Sequence, residues 1–234
     1  MGEPPLKPAK SFALFAALKA AASLVLAAGP AVAAPAPAAP AQQPPAGSYF
    51  ADPAHTSLTF RVNHLGFSHY TASFRKVDAR LTFDPARPTA MKVDATIAVP
   101  SLQLNAPPAG FHNELMGKSW FDAARFPTMT FRSTKVEPTG PRTANVTGDL
   151  TLHGVTKPVV LQVTYNGGYP PMSFDPGGAR IGFSAHGVLK RSAFGISSGI
   201  PAPGTTMGVS DDVDVAIETE FSSKHVPPAP AKKR

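Results

Sequence analysis

The sequence predicts an all-β fold, an eight-stranded antiparallel barrel with one short helical insertion near one end. Three observations point there. Apolar and polar residues alternate in roughly eight runs between Ser57 and Phe221, the period of a strand with one dry and one wet face. The runs are about ten residues long, against the usual five or six, which favours strands that wrap a barrel. Consecutive runs are joined by turn residues, and no βαβ spacing occurs, so neighbouring strands are antiparallel.

The runs are taken in chain order. Ser57 to Leu65 sets Leu58, Phe60 and Val62 against Thr59, Arg61 and Asn63. Tyr70 to Asp84 keeps Val77, Ala79, Leu81 and Phe83 on one face, with Phe74 out of phase; an extra residue near Arg75-Lys76 restores the phase, which predicts a β-bulge. Asp84-Pro85-Ala86-Arg87-Pro88 is a turn, followed by Ala90 to Val99. Gly110 to Lys118, before the aromatic pair Trp120-Phe121, is the helical candidate, placed to lie across an open end. Thr128 to Val136 and Arg142 to Leu152 flank the turn Glu137-Pro138-Thr139-Gly140-Pro141. A tight hairpin over His153 to Pro158 leads into Pro158 to Asn166, and Ala179 to Lys190 follows. In Thr206 to Phe221, Val213, Val215, Ile217, Thr219 and Phe221 face in, while Asp212, Asp214, Glu218 and Glu220 face water.

The ends have a different character. Residues 1–33 carry Lys7 and Lys10, an apolar stretch and the A-x-A site Ala31-Val32-Ala33, which reads as a secretory signal peptide cut after Ala33. Lys19 splits the apolar stretch, so it falls short of a bilayer-spanning helix and leaves no membrane span after processing. There is no twin arginine, which favours the general secretory route and a periplasmic location. Residues 34–48 read as a Pro/Ala-rich linker, 49–221 as the barrel and 222–234 as a basic, Pro-containing tail.

Charge and cysteine narrow the function. The net charge of +7 comes from 22 basic and 15 acidic residues, but Lys7, Lys10 and Lys19 lie in the signal and Lys224, Lys232, Lys233 and Arg234 in the tail. The folded part is close to neutral and offers no basic face for nucleic acid. With no cysteine, the chain has no thiol chemistry, no lipid-modified N-terminal cysteine and no Cys-ligated metal, and its core must hold without cross-links. Seven histidines are present, but His55, His64 and His69 lack ligand-like spacing, so neither metal nor cofactor is expected. Gly195-Ile196-Ser197-Ser198-Gly199 satisfies G-x-S-x-G, the foothold for an esterase-like reading through Ser197. That motif needs a strand-to-helix elbow, and Ile200-Pro201-Ala202-Pro203-Gly204 cannot start the helix.

Four blocks carry a resemblance. Asp52-Pro53-Ala54-His55-Thr56-Ser57 with Phe60, His64-Leu65-Gly66 and Phe74 is the first; Trp120-Phe121-Asp122 with Phe126-Pro127 and Phe131 is the second. The third, and most specific, runs from Gly148 to Pro158, and the fourth is Arg191-Ser192-Ala193-Phe194-Gly195-Ile196. Together, over Gly47 to Phe221, they resemble the YceI-like family of exported, lipocalin-like barrels that bind polyisoprenoid lipids. One stretch departs from the pattern: many members carry an Arg-Asp-containing polar segment before the helix, where this chain has Asn105 to Leu115.

The resemblance implies a ligand such as a prenyl quinone or prenyl phosphate, held by the inward faces. Those faces supply Leu58, Phe60, Val62, Leu81, Phe83, Ile97, Val99, Phe131, Leu150, Leu152, Val163, Phe183 and Phe194. Alternation alone does not separate a hollow barrel from one filled by the same side chains. For the ligand's polar end group the candidates are His64, in phase with Leu58, Phe60 and Val62; Lys190 and Arg191 at a strand end; and His112 and Asn113 at the start of the helix. A structural histidine, solvated cations and helix capping are the competing roles. An inert envelope protein whose function lies in its ends is a further alternative, and pairing of two barrels as a homodimer stays open.

Overall fold

A computed structural model describes residues 43–227. The predicted signal peptide, most of the linker and the Lys-Lys-Arg end lie outside the described residues. The strands are β1 (Gly47–His64), β2 (Ser68–Phe74), β3 (Val77–Phe83), β4 (Lys92–Ala98), β5 (Leu102–Gln103), β6 (Thr128–Pro138), β7 (Thr143–Leu152), β8 (Val155–Tyr169), β9 (Arg180–Lys190) and β10 (Val209–Ser222), with helix α1 (Phe111–Met116) between β5 and β6.

Every pairing is antiparallel, and the ring runs β10-β9-β8-β7-β6-β4-β3-β1 and closes through β1 against β10. β2 and β3 share one stave: β1 pairs with β3 through Gly47–Phe50 and with β2 through Leu58–His64. β5 adds a two-residue flank to β2, so the ten strands form the eight staves expected. Closure removes the free edges that would otherwise template pairing with other chains.

The phase change expected at Arg75-Lys76 is present, as a break between β2 and β3 rather than a one-residue bulge. The freed backbone groups find partners in the Val99–Ser101 turn: Arg75 N–H donates to the Ser101 carbonyl (3.1 Å), Lys76 N–H to Ser101 Oγ (3.1 Å), and Ala98 N–H to the Lys76 carbonyl (3.0 Å). A second irregularity escaped the sequence pattern. β1 begins at Gly47, ten residues before the predicted start, because its register against β10 shifts between Ala51 and Thr56. Asp52-Pro53-Ala54 has turn chemistry, yet Asp52 accepts the Ala54 N–H (2.9 Å) inside a bulge that keeps the strand going. The expected linker therefore ends early: Pro44 is fully buried, and the Tyr49 hydroxyl donates to the Pro45 carbonyl (2.7 Å). The barrel likewise passes Phe221, with Ser222 buried and its hydroxyl on the Lys224 carbonyl (2.8 Å).

The hairpin from β7 to β8 turns on two residues, His153 (φ 52°) and Gly154 (φ 76°), both in the left-handed region that such tight turns require. A side chain at 154 would collide with the Phe126 ring. The helix is shorter than expected and packs Leu115 into a cluster with Phe74, Ile97, Val99, Leu102, Met129, Leu152, Phe194 and Ile196 that closes one end of the barrel. A second cluster, around Tyr49, Leu81, Phe83, Ala179, Ile181 and Phe221, lies toward the other end.

Beside that second cluster, Arg180 clamps the start of β9 to its neighbours. Its Nη1 donates to Asp52 Oδ2 (2.6 Å) and Glu220 Oε2 (3.0 Å), and its Nε to Asp175 Oδ2 (2.7 Å), which also accepts the Tyr169 hydroxyl (2.7 Å). The guanidinium bonds hold the Asp175 carboxyl well below the usual carboxylate range, helped by Tyr169. For Asp52, burial pushes upward, but bonds from Arg180, His55 and the Ala54 amide outweigh it and lower the pKa.

Removing the cation leaves Asp52 and Asp175 buried without their guanidinium partner, so Arg180→Met should cost about 3 kcal/mol in denaturant unfolding. The acid limb follows from the lowered carboxyls. In the unfolded chain they take up protons near pH 4, in the barrel only at lower pH, so their contribution is complete above that range and disappears as pH falls through it. Between pH 6 and pH 3 the wild type should lose stability more steeply than Asp175→Asn; equal slopes would contradict the clamp.

Candidate ligand-binding cavity

The two end clusters share no buried residue, and only the small side chain of Ala95 packs against both. Between them the inward faces enclose a cavity of about 1150 Å³, above the usual range for small-ligand sites. Leu58, Phe60, Val62, Leu81, Phe83, Ile97, Phe131, Leu150, Leu152, Val163 and Phe183 line it, as the alternation predicts. Val99 and Phe194 do not. Both are 1% exposed, but each sits in a short 3-10 turn, Val99–Ser101 and Arg191–Phe194, where strand periodicity no longer decides direction, and both are buried in the cluster under the helix.

The small inward residues Ala72, Ala95, Ala185 and Gly187 also line the cavity. The three alanines put only a methyl group toward the centre and so leave room for the void, whereas at Gly187 a Cβ would fall 2.8 Å from the Leu161 side chain, so that glycine makes room for the wall itself. A run of alternating residues marks the inward face whether its members are phenylalanine or alanine, so the pattern of sizes along the face, rather than its polarity, was the available signal. Phe131 lies flat against Gly148 in the same way: a Cβ at 148 would fall 2.3 Å from the ring, so glycine there gives the phenyl group its place against the wall.

Tyr165 and Phe183 extend an aromatic strip, with ring centroids 5.6 Å apart and Phe83 (6.1 Å) and Phe221 (6.1 Å) at its two ends. Two of the polar sites within the wall are satisfied by its own strands. Thr56 Oγ1 bonds Thr219 Oγ1 (2.8 Å), and Ser133 Oγ accepts the Val93 amide (2.9 Å). Apolar side chains make up most of the lining, so the interior is suited to hydrocarbon.

The expected end-group contacts fare differently. His64 lines the cavity where β1 ends. Arg191 also reaches it, but its guanidinium is occupied by four backbone carbonyls: Nε donates to Ser210 (2.9 Å), Nη1 to Ile196 (3.1 Å) and Ser198 (2.7 Å), and Nη2 to Val209 (2.8 Å). It stacks 5.3 Å from the Trp120 ring and fastens the Gly195–Gly208 loop to β10. Lys190 points away from the cavity and pairs with Asp212 (2.7 Å) and Asp211 (3.9 Å). His112 and Asn113 do not line the cavity; α1 turns Phe111 and Leu115 toward it instead, and its N-cap is Gly110, with no side-chain cap. The departing stretch Asn105–Pro108 forms part of the rim, held by Asn105 N–H donating to the Tyr70 hydroxyl (2.9 Å).

Among the described residues no group of three or more His, Asp or Glu side chains could hold a metal ion. His55 does not line the cavity and bonds Asp52 (2.9 Å). Ser197 is exposed in a loop that follows a 3-10 turn and leads into no helix, so the G-x-S-x-G residues lack the elbow geometry.

Comparison with known proteins places this architecture. The model of the YceI-like domain matches residues 49–221. The chain belongs to the YceI-like family. A UPF0312 protein of Pseudomonas savastanoi pv. phaseolicola is 39% identical over 165 residues, covering 70% of this chain and 80% of that one. Among solved structures, Burkholderia cenocepacia BcnA has a TM-score of 0.60 at 29% identity, covering 73% of this chain and 98% of its own. The Campylobacter jejuni YCEI protein has 0.57 at 32%, covering 70% and 90%. A polyisoprenoid binding domain from Saccharophagus degradans shares the fold at 14% identity, with a TM-score of 0.54 over 76% and 99% of the two chains.

The YceI-like barrel thus uses its two adjacent cations in unlike ways. Arg191→Met strands four carbonyls and should lower the melting temperature by roughly 5–10 °C, whereas Lys190→Met, on an exposed pair, should leave it nearly unchanged. Equal shifts in calorimetry would contradict the structural assignment of Arg191.

Proposed function

We propose that this protein binds a polyisoprenoid-type amphiphile, such as a prenyl quinone or prenyl phosphate, inside its barrel and sequesters or carries it. The single observation behind this reading is the apolar cavity of about 1150 Å³, bounded by a cluster at each end. Each buried methylene of a ligand contributes ~0.8 kcal/mol, so a prenyl tail gains useful affinity from its length alone, without polar contacts. The fold shared with a domain described as polyisoprenoid binding supports the same class of ligand. No covalent step is involved.

The reading includes export. The lysines and apolar stretch before Ala31-Val32-Ala33 support delivery to the periplasm, where a lipid moving between membranes needs a water-excluding carrier. Fractionation of expressing cells should return the protein with the periplasmic contents, and N-terminal sequencing should begin at Ala34. An intact Met1 in the cytosolic fraction would contradict this.

Organic extraction of the purified mature protein, followed by mass spectrometry, should release a prenyl lipid. Ala185→Trp fills the void from β9 and should weaken prenyl-lipid uptake at least about tenfold, the worth of two lost methylenes, while the melting temperature holds. A ligand-free protein that also rejects prenyl lipids in titration would refute the carrier reading.

A further inference from the structure

The cavity has an electrical asymmetry that the alternation does not reveal. No aspartate or glutamate lines it among the described residues, while Lys92, Arg142 and Arg191 do. Arg191 is spent on carbonyls at the helix end. The other two stand at the opposite mouth, where β4 begins and where the turn after β6 enters β7. Neither has a carboxylate within ion-pair distance among the described residues.

Arg142 is the better placed. It continues the inward row Ala144, Val146, Gly148 and Leu150 of β7, and its carbonyl accepts the Tyr165 amide (2.7 Å) at the end of the β7–β8 ladder. Its guanidinium lies 5.5 Å from the centre of the Tyr165 ring, close to Gly167. That glycine has φ +131° and sits at the register shift between Tyr165 and Gly167, and a Cβ there would come within 3.5 Å of Arg142 Nη2. The bulge therefore bares a patch of backbone over which the arginine folds. Tyr165 itself lines the cavity, and its hydroxyl has no hydrogen-bond partner among the described residues. Burial pushes the Tyr165 phenol up, against the opposing effect of Arg142, so the hydroxyl stays protonated and remains a donor. A guanidinium with no ion pair and a phenol with no hydrogen-bond partner among the described residues thus lie together toward one end of a hydrocarbon-lined tube. An anionic oxygen cluster satisfies both, since guanidinium groups bind phosphate and carboxylate through parallel charge-assisted bonds.

We infer that the mouth formed by Arg142 and Tyr165, remote from the helix, is an anionic head-group site, so that the preferred cargo is a phosphorylated or carboxylated prenyl lipid held with its tail toward the helix. This deepens, and rests on, the carrier reading above. It also moves the polar contact from the helix end, where the sequence nominated Lys190 and Arg191, to the other end.

The test compares a prenyl alcohol and the prenyl monophosphate of equal chain length, titrated against the full mature protein, with inorganic phosphate as the tail-free anion. The wild type should prefer the monophosphate at least about tenfold, a preference that shrinks as salt rises, and should bind inorganic phosphate far more weakly than either lipid. Arg142→Gln should bring the ratio of the two lipid affinities toward one, and Arg142→Lys, which keeps the charge, should retain most of it. Equal affinities in the wild type overturn the head-group site and leave the carrier reading standing. So does an undiminished ratio in Arg142→Gln, the loss of both lipids in that variant, or inorganic phosphate binding as tightly as the lipid. Rejection of both lipids by the wild type overturns the carrier reading and this inference with it.

Discussion

An eight-stranded barrel has an interior just wide enough for its own side chains to fill, so the size of the inward residues decides whether it is a solid core or a container. Here the large inward residues gather toward the ends: Phe74, Met129, Leu152 and Phe194 by the helix, Tyr49, Phe83 and Phe221 at the other end. Alanine holds positions 95 and 185 between them, and Ala72 stands at the edge of the helix-end cluster. Because protein interiors otherwise pack to crystal density, a void of this size costs dispersion contacts that only a guest can restore. The clusters hold the wall without help from the guest, which is how a chain without cysteine keeps a hollow centre.

Holding the wall also requires closure, and the two arginines on β9 and just after it secure it from opposite ends. Arg180 gathers three carboxylates from the β1 bulge, the loop before β9 and the end of β10. Arg191 gathers four carbonyls and the face of Trp120. Both are consumed in tying elements whose backbone has left the ladder, which is why neither is free for a ligand. Arg142 differs in having no such task among the described residues, since the hairpin it belongs to is already closed by Thr139 N–H on the Thr143 carbonyl (2.9 Å).

The architecture was legible because period-two alternation is a local property of each strand: eight staves, antiparallel pairing and most of the lining follow from it. The errors fall where backbone geometry departs from that period. The β1 start was missed because Asp52-Pro53 carries turn chemistry inside a bulge, and Val99 and Phe194 were assigned to the wall because 3-10 turns rotate side chains off the strand face. Residue partners were least legible of all. Arg191 reads as an exposed strand-end cation, yet its hydrogen bonds go to carbonyls of residues 196, 198, 209 and 210, set there by a loop whose path no periodicity encodes. Alanine carries too little hydrophobicity to attract attention, so the void it makes was equally hidden.

The hollow, apolar interior is tested most directly by a crystal structure of the protein purified from its native host without added lipid. The account predicts one continuous thread of density along the barrel, running from beneath Phe111 and Leu115 toward Arg142. A centre closed by repacked phenylalanine and leucine side chains, or filled by a hydrogen-bonded column of water, would contradict it.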